Sequence, residues 1–359
     1  MKNANSTIRG FDGIRALAIM AVILSHTNVL GALVDRGYLA EGIARSINGS
    51  AGVQAFFVLS GFLITHLLVH EQDRNGEVSL RSFYIRRALR IMPIYFLVVT
   101  ATLVMEVMFG QVASPQSFAH AYTYTYNFVP KEEYSTNLGH TWSLAVEEHF
   151  YLVWPFIFAA AAATWRPLLL GLLVFVPVAA MLHVFASQTA ATDQFFVYRW
   201  SFFAGINIAL GCLGALLANR EVGLCWPSAL TGLGGFALGV AFWFIEAFPG
   251  ASQPPLTSYV RAVGFLILIV WITRNQNSAF VRLLELPPIR YVGVISYGLY
   301  MYQGFYLSTS PWRGPDQVWP PDRWLGLILL AVTAPLSYHF IERPILRLKR
   351  RWEWHGRRT

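Results

Sequence analysis

The chain has 359 residues, of which 55% are hydrophobic and only 13% charged. That charged share is about half the share in an ordinary soluble domain, and it excludes a soluble globular protein, whose core could not hide so much apolar sequence. The net charge of +8 is carried in short basic runs between apolar segments, a pattern that fits membrane topology rather than nucleic-acid binding.

Apolar segments recur from end to end, at residues 13–33, 51–70, 91–109, 143–163, 168–186, 201–218, 228–247, 257–273, 289–308 and 324–341. Each supplies about 17–21 residues, enough for a helix to cross about 30 Å of hydrocarbon. Lipid admits only helices and closed barrels, and these runs are too long and too continuously apolar for barrel strands. The sequence therefore predicts an all-α fold, a polytopic transmembrane helical bundle of about ten spans. The first segment follows Lys2 and Arg9 as a signal peptide would, but lacks a convincing small-residue cleavage site. It reads as a retained first helix.

With the N-terminus inside, 20 Lys and Arg residues fall on the inner side and 7 on the outer side. Both termini are thus expected in the cytoplasm. The largest outer loop, about 110–142, carries a polar-aromatic patch of Tyr122, Tyr124, Tyr126 and Asn127. Arg261 makes 257–273 the weakest predicted span. Cys212 and Cys225 form no framework, so neither a metal site nor a disulfide is expected. Residues 1–342 read as one membrane domain. Residues 343–359 read as a basic cytoplasmic tail lying on the anionic inner leaflet.

Ionisable residues inside spans are costly and point to function. Arg15 and His26 are eleven residues apart, close to three helical turns, so they share a face with about 16 Å between them. Taken singly, each has a plainer explanation: a snorkelling arginine, and a buried histidine satisfied by a hydroxyl. In the second span, Ser60 and Gly61 suit close helix approach as well as a pocket. Arg86, Arg87 and Arg90 stand at the inner interface, where arginine can set topology or hold phosphates with paired donors. Trp142, Ser143, Glu147 and Glu148 enter the fourth span from outside. Adjacent carboxylates on a helix point in different directions, so at most one of the two faces a given site. Tyr300 and Gln303 lie in the ninth span, with Gln303 near the depth of His26. The basic residues thus cluster at the inner face, and His26, a carboxylate and Gln303 share a level nearer the outer face. A long anionic molecule such as acyl-CoA has that shape, with phosphates at one end and a thioester at the other.

These positions carry a resemblance. Phe11-Asp12-Gly13-Ile14-Arg15-Ala16 through His26, then Phe56-Phe57-Val58-Leu59-Ser60-Gly61-Phe62, then Arg87-x-x-Arg90 with Pro93, then Thr141-Trp142-Ser143-Leu144-Ala145-Val146-Glu147-Glu148, and finally Ile341-Glu342-Arg343-Pro344 resemble the ordered motifs of the acyltransferase-3 family of membrane O-acyltransferases. The resemblance covers nearly the whole chain. It implies about ten helices, an acyl-CoA donor, no other cofactor, and a hydroxyl acceptor such as a cell-surface polysaccharide, lipid-linked glycan or glycosylated metabolite. It also implies a bacterial inner-membrane location. By position, His26 matches the family's catalytic histidine and Arg15 its paired basic residue. One departure stands out: the ninth-span motif often ends in His, and here it is Gln303, which hydrogen-bonds but cannot titrate.

Hydroxyl attack on a thioester needs a base and a donor for the developing oxyanion. The expected base is His26, oriented by Glu147 or Glu148. Arg15, Arg87 and Arg90 are expected at the donor, and Ser60, Gly61, Trp142, Ser143, Tyr300 and Gln303 in the pocket. The rival reading is a transporter or flippase, which would also carry intramembrane charges but no acyl-transfer chemistry.

Overall fold

The computed structural model describes residues 8–109, 114–161, 165–189, 197–219, 232–248, 255–308, 319 and 322–348. Among them every regular element is helical. Cys225, Arg220, Arg313 and the tail beyond Leu348 lie outside the described residues. Six predicted spans are single helices long and apolar enough to cross a membrane: Glu41–Asn75, Leu80–Met108, Trp165–Ser187, Ser201–Ala218, Leu256–Arg274 and Arg323–Leu348. The chain is an integral membrane protein.

The other four predicted spans take different forms. The first is two helices, α1 (Phe11–His26) and α2 (Val29–Asp35), bent by 67°. The break falls at Thr27 and Asn28, both weak helix formers, with Asn28 in the left-handed region at φ 54°. Instead of running to residue 33, the first helix ends on His26. The fourth forms a helix over Thr141–Ala160, with its apolar run diluted by Glu147, Glu148 and His149. The seventh is helical over Leu233–Trp243, only 11 residues. The ninth is divided into Pro287–Val294 and Ser296–Tyr306.

The chain forms two compact units. The first comprises Met1–Glu77, Ile157–Tyr198 and Phe202–Val294, and the second Val78–Phe156, Arg199–Ser201 and Ile295–Thr359. In the first unit α1 packs on α3 (Gly49–Asn75, the C-terminal part of the second span) and on Pro287–Val294, and Leu256–Arg274 packs on Leu233–Trp243 and α3. Ile14, Val58, Phe62, Phe265 and Ile269 fill the core between them. Lipid gives little hydrophobic drive between helices, so close packing of small residues supplies it. A Cβ on Gly61 would collide with the carbonyl of Ile208, and one on Gly211 with the carbonyl of Val58. The two glycines let α3 and Ser201–Asn219 meet backbone to backbone. The charge of Arg261 is compensated: its Nε donates to Gln54 Oε1 at 2.8 Å, and its Nη1 lies 3.1 Å from Glu246 Oε1.

In the second unit Ser296–Tyr306 packs on Leu80–Met108 and on Arg323–Ser337, and the helix Pro115–Tyr122 packs on Leu80–Met108. The region predicted as an outer loop is built by polar and aromatic contacts. Tyr126 donates from its hydroxyl to the Ser135 carbonyl at 2.6 Å and accepts from the Ser135 N–H at 2.9 Å. Asn137 donates to buried Glu106 at 2.5 Å. The Arg199 guanidinium lies over the rings of Tyr134 and Trp142, at 4.9 and 5.7 Å.

Candidate functional site

In the first unit, α1 carries Arg15 and His26 and packs on α3, which carries Ser60 and Gly61. His26 is the last residue of α1, and its Nδ1 lies 2.8 Å from the Val22 carbonyl oxygen. A carbonyl only accepts, so Nδ1 carries a proton, and in the neutral ring Nε2 keeps its lone pair. The ring is therefore held at Nδ1 by its own helix. Arg15 forms an ion pair with Asp12 at 2.6 Å, one turn earlier on the same face. Gly61 is taken up by the helix contact described above, and Ser60 is half-buried beside it.

In the second unit, Arg87 stacks on Tyr151, with its Cζ 3.4 Å from the ring centroid. Its charge also reaches Glu148. One carboxylate oxygen of Glu148 is buried with no hydrogen-bond partner among the described residues, whereas Glu147 has interactions of its own. Ser143 and Tyr300 share a hydroxyl–hydroxyl bond of 2.6 Å, and Tyr300 also donates to the His140 carbonyl at 3.0 Å. Gln303 is fully buried, and among the described residues neither the nitrogen nor the oxygen of its amide has a hydrogen-bond partner. Next to it, Gly304 lies so close to the His140 ring that a Cβ would overlap it. The predicted residues thus divide between the units: Arg15, His26, Ser60 and Gly61 in the first, and Arg87, Arg90, Trp142, Ser143, Glu147, Glu148, Tyr300 and Gln303 in the second.

Two residues escaped the sequence reading. Glu342 sits at the end of a π turn, Tyr338–Glu342, with one buried oxygen lacking a hydrogen-bond partner among the described residues. Its Oε1 would stand 2.9 Å from a Cβ on Gly298, and the charge of Arg90 reaches it. The second unit thus sets a buried carboxylate near each of the two arginines, Glu148 near Arg87 and Glu342 near Arg90. Glu342 had a signal, as the acid of the closing Ile341-Glu342-Arg343-Pro344 motif, but the π turn that aims it has none. Tyr124 belonged to the loop patch, yet its backbone conformation (φ 56°) could not be read from composition.

Comparison with known proteins places these motifs. Over 94% of its length the chain is 26% identical to the peptidoglycan O-acetyltransferase OatA of Listeria monocytogenes serovar 1/2a, and 25% identical to the O-acetyltransferase OatA of Staphylococcus aureus strain NCTC 8325. It spans 56% and 57% of those relatives, just over half their length. No solved structure matches the chain. Residues 8–341 match the family described as an acyltransferase domain, the acyltransferase-3 family, and the chain belongs to it.

Proposed function

We propose that this membrane protein moves an acyl group, most simply acetyl, from acyl-CoA to a hydroxyl of a sugar-containing acceptor in a bacterial envelope, with peptidoglycan as the first acceptor to try. The names of the two relatives support transfer of acetyl to oxygen and, for the Listeria protein, a peptidoglycan acceptor. The observation that carries the reading is the 2.8 Å contact of His26 Nδ1 with the Val22 carbonyl oxygen, which in the neutral ring makes Nε2 the basic nitrogen. In the proposed step the acceptor oxygen bonds to the thioester carbon while its proton passes to Nε2. The carbon–sulfur bond then breaks, and the CoA thiolate leaves with that proton. Arg15, Arg87 and Arg90 are assigned to the donor phosphates. Phosphate would have to displace Asp12 from Arg15.

The test is CoA release by purified protein in bilayers supplied with acetyl-CoA and a peptidoglycan fragment. His26→Ala and His26→Gln should both lose about 10²–10⁴-fold in rate, the value of a general base, while still binding acyl-CoA. Gln keeps a hydrogen bond but cannot take the proton. Near-normal turnover of His26→Gln in properly inserted protein would remove His26 from the reaction.

A further inference from the structure

Gln303 is the side chain of the second unit that its surroundings explain least. It is fully buried, and among the described residues neither end of its amide has a hydrogen-bond partner. Burying an amide without partners costs stability, and leucine or methionine would fill a similar volume without that cost. The polar groups next to it are already engaged. The Ser143 and Tyr300 hydroxyls bond to each other at 2.6 Å, and the Tyr300 hydroxyl lies 3.0 Å from the His140 carbonyl oxygen.

The helix Ser296–Tyr306 sets the direction of the amide. Tyr300, Gln303 and Gly304 are spaced to share one face of it. On that face Tyr300 meets His140 and Ser143, and Gly304 lies against the His140 ring. Gln303 is thereby turned to the start of the helix Thr141–Ala160. The first turn of that 20-residue helix carries partial positive charge, which suits a ligand oxygen. An unpaired buried amide, two hydroxyls and a helix start thus come together within one unit.

The shape of the amide says what pairs with it. It offers a donor, Nε2, and an acceptor, Oε1, side by side. Its counterpart must present an acceptor and a donor on neighbouring atoms. A trans peptide group cannot, because its N–H and C=O point to opposite sides. An ammonium only donates, and an ionised carboxylate only accepts. Neighbouring substituents of a pyranose ring can, as two hydroxyls or as a hydroxyl beside an acetamido N–H. The edge of adenine can too, but the Lys and Arg distribution predicts Gln303 nearer the outer face, and the arginines assigned to the CoA phosphates nearer the inner one.

We propose that Gln303 is a specificity residue that reads a sugar ring of the acceptor, with Nε2 donating to one ring hydroxyl and Oε1 accepting from the O–H or N–H on the neighbouring carbon. The Ser143 and Tyr300 hydroxyls lie alongside. Because the amide is fully buried, a ring reaches it only as the start of Thr141–Ala160 parts from Ser296–Tyr306. The inference deepens the function proposed above and rests on it for the class of acceptor. No covalent bond changes at this site, so binding can be measured without turnover.

Full-length protein in lipid nanodiscs, titrated by calorimetry with a β-1,4-linked N-acetylglucosamine trimer and separately with CoA, tests this. Wild type should bind the trimer. Gln303→Leu should weaken that binding about 10–100-fold, the effect of losing two hydrogen bonds, while CoA affinity stays within about threefold. Its melting temperature should be unchanged or higher. Gln303→Met, unbranched like glutamine, repeats the measurement in case the branched side chain disturbs packing. Trimer binding within about threefold of wild type in both variants overturns the assignment. So does a fall in melting temperature in both variants that accompanies the lost binding, which would make the amide structural. Loss of CoA affinity in place of trimer affinity also overturns it, because the amide would then read adenine. Wild type that binds no trimer overturns it outright. Wild type that binds the trimer but releases no CoA from acetyl-CoA overturns the acyl-transfer reading and leaves the sugar site in place.

Discussion

Two arginines of one motif meet different surroundings, and this decides what their removal should do. Arg87 is stacked on Tyr151 and faces Glu148, whereas Arg90 acts on Glu342. If both hold donor phosphates, Arg87→Ala and Arg90→Ala each lose a charge-assisted contact of about 1.5–3 kcal/mol, so the donor KM should rise about 10–100-fold. The acceptor KM should move much less. Arg87→Lys should recover part of the loss, because lysine keeps the charge but not the planar fork or the stack. Steady-state kinetics against both substrates check this, and an unchanged donor KM in both alanine variants at normal protein levels would refute the assignment. The arginines, the histidine, Glu147 and Glu148 were conspicuous in the sequence because charge inside an apolar run stands out and helical spacing assigns its face. The engagement of each group was not legible. The Val22 carbonyl at His26 and the Asp12 partner of Arg15 depend on rotamers, and the left-handed backbone of Tyr124 depends on how the helix before it closes.

At the scale of elements, the sequence marked apolar runs well and their interruptions poorly. Leu80–Met108 and Leu256–Arg274 were legible because each contains a long apolar run, and even Arg261 did not break the second. Its partner Gln54 is 207 residues away and Glu246 lies beyond the end of its helix, so their compensation was invisible there. The break after His26 rests on two residues, Thr27 and Asn28, too few to register in a hydropathy window of about 19. Gly61 shows the same limit. Beside Ser60 it read equally as pocket or packing, and the structure sets it against the backbone of Ser201–Asn219, with the Cys212 thiol 3.4 Å from its carbonyl oxygen. Gly61→Ala must push two backbones apart, since the colliding atom is the Ile208 carbonyl and not the tip of a side chain. Overpacking of this kind costs about 1–3 kcal/mol. Thermal unfolding in detergent should show a clearly lower midpoint for Gly61→Ala, and an unchanged midpoint would mean that the helices do not meet as described.

For the whole molecule, the membrane orientation follows from charge. The helix Leu80–Met108 has 29 residues, about 44 Å of rise against about 30 Å of hydrocarbon. Its first turns, with Arg81, Arg86, Arg87 and Arg90, therefore have room to stand in the headgroup region while the apolar remainder crosses. Four arginines at one end, together with the 20-to-7 distribution along the chain, predict that this end faces the cytoplasm. Positions flanking this helix must then lie on opposite sides. Ser135, in the outer region, is buried and a poor reporter, whereas Glu77 and Glu132 are exposed. Single cysteines, Glu77→Cys and Glu132→Cys, can be introduced after Cys212 and Cys225 are replaced by serine. An impermeant maleimide should label Glu132→Cys in intact cells and Glu77→Cys only after permeabilisation. Labelling of both from outside would mean that Leu80–Met108 does not cross. Labelling of Glu77→Cys alone would invert the protein and put the arginines assigned to the donor on the side away from cytoplasmic acyl-CoA.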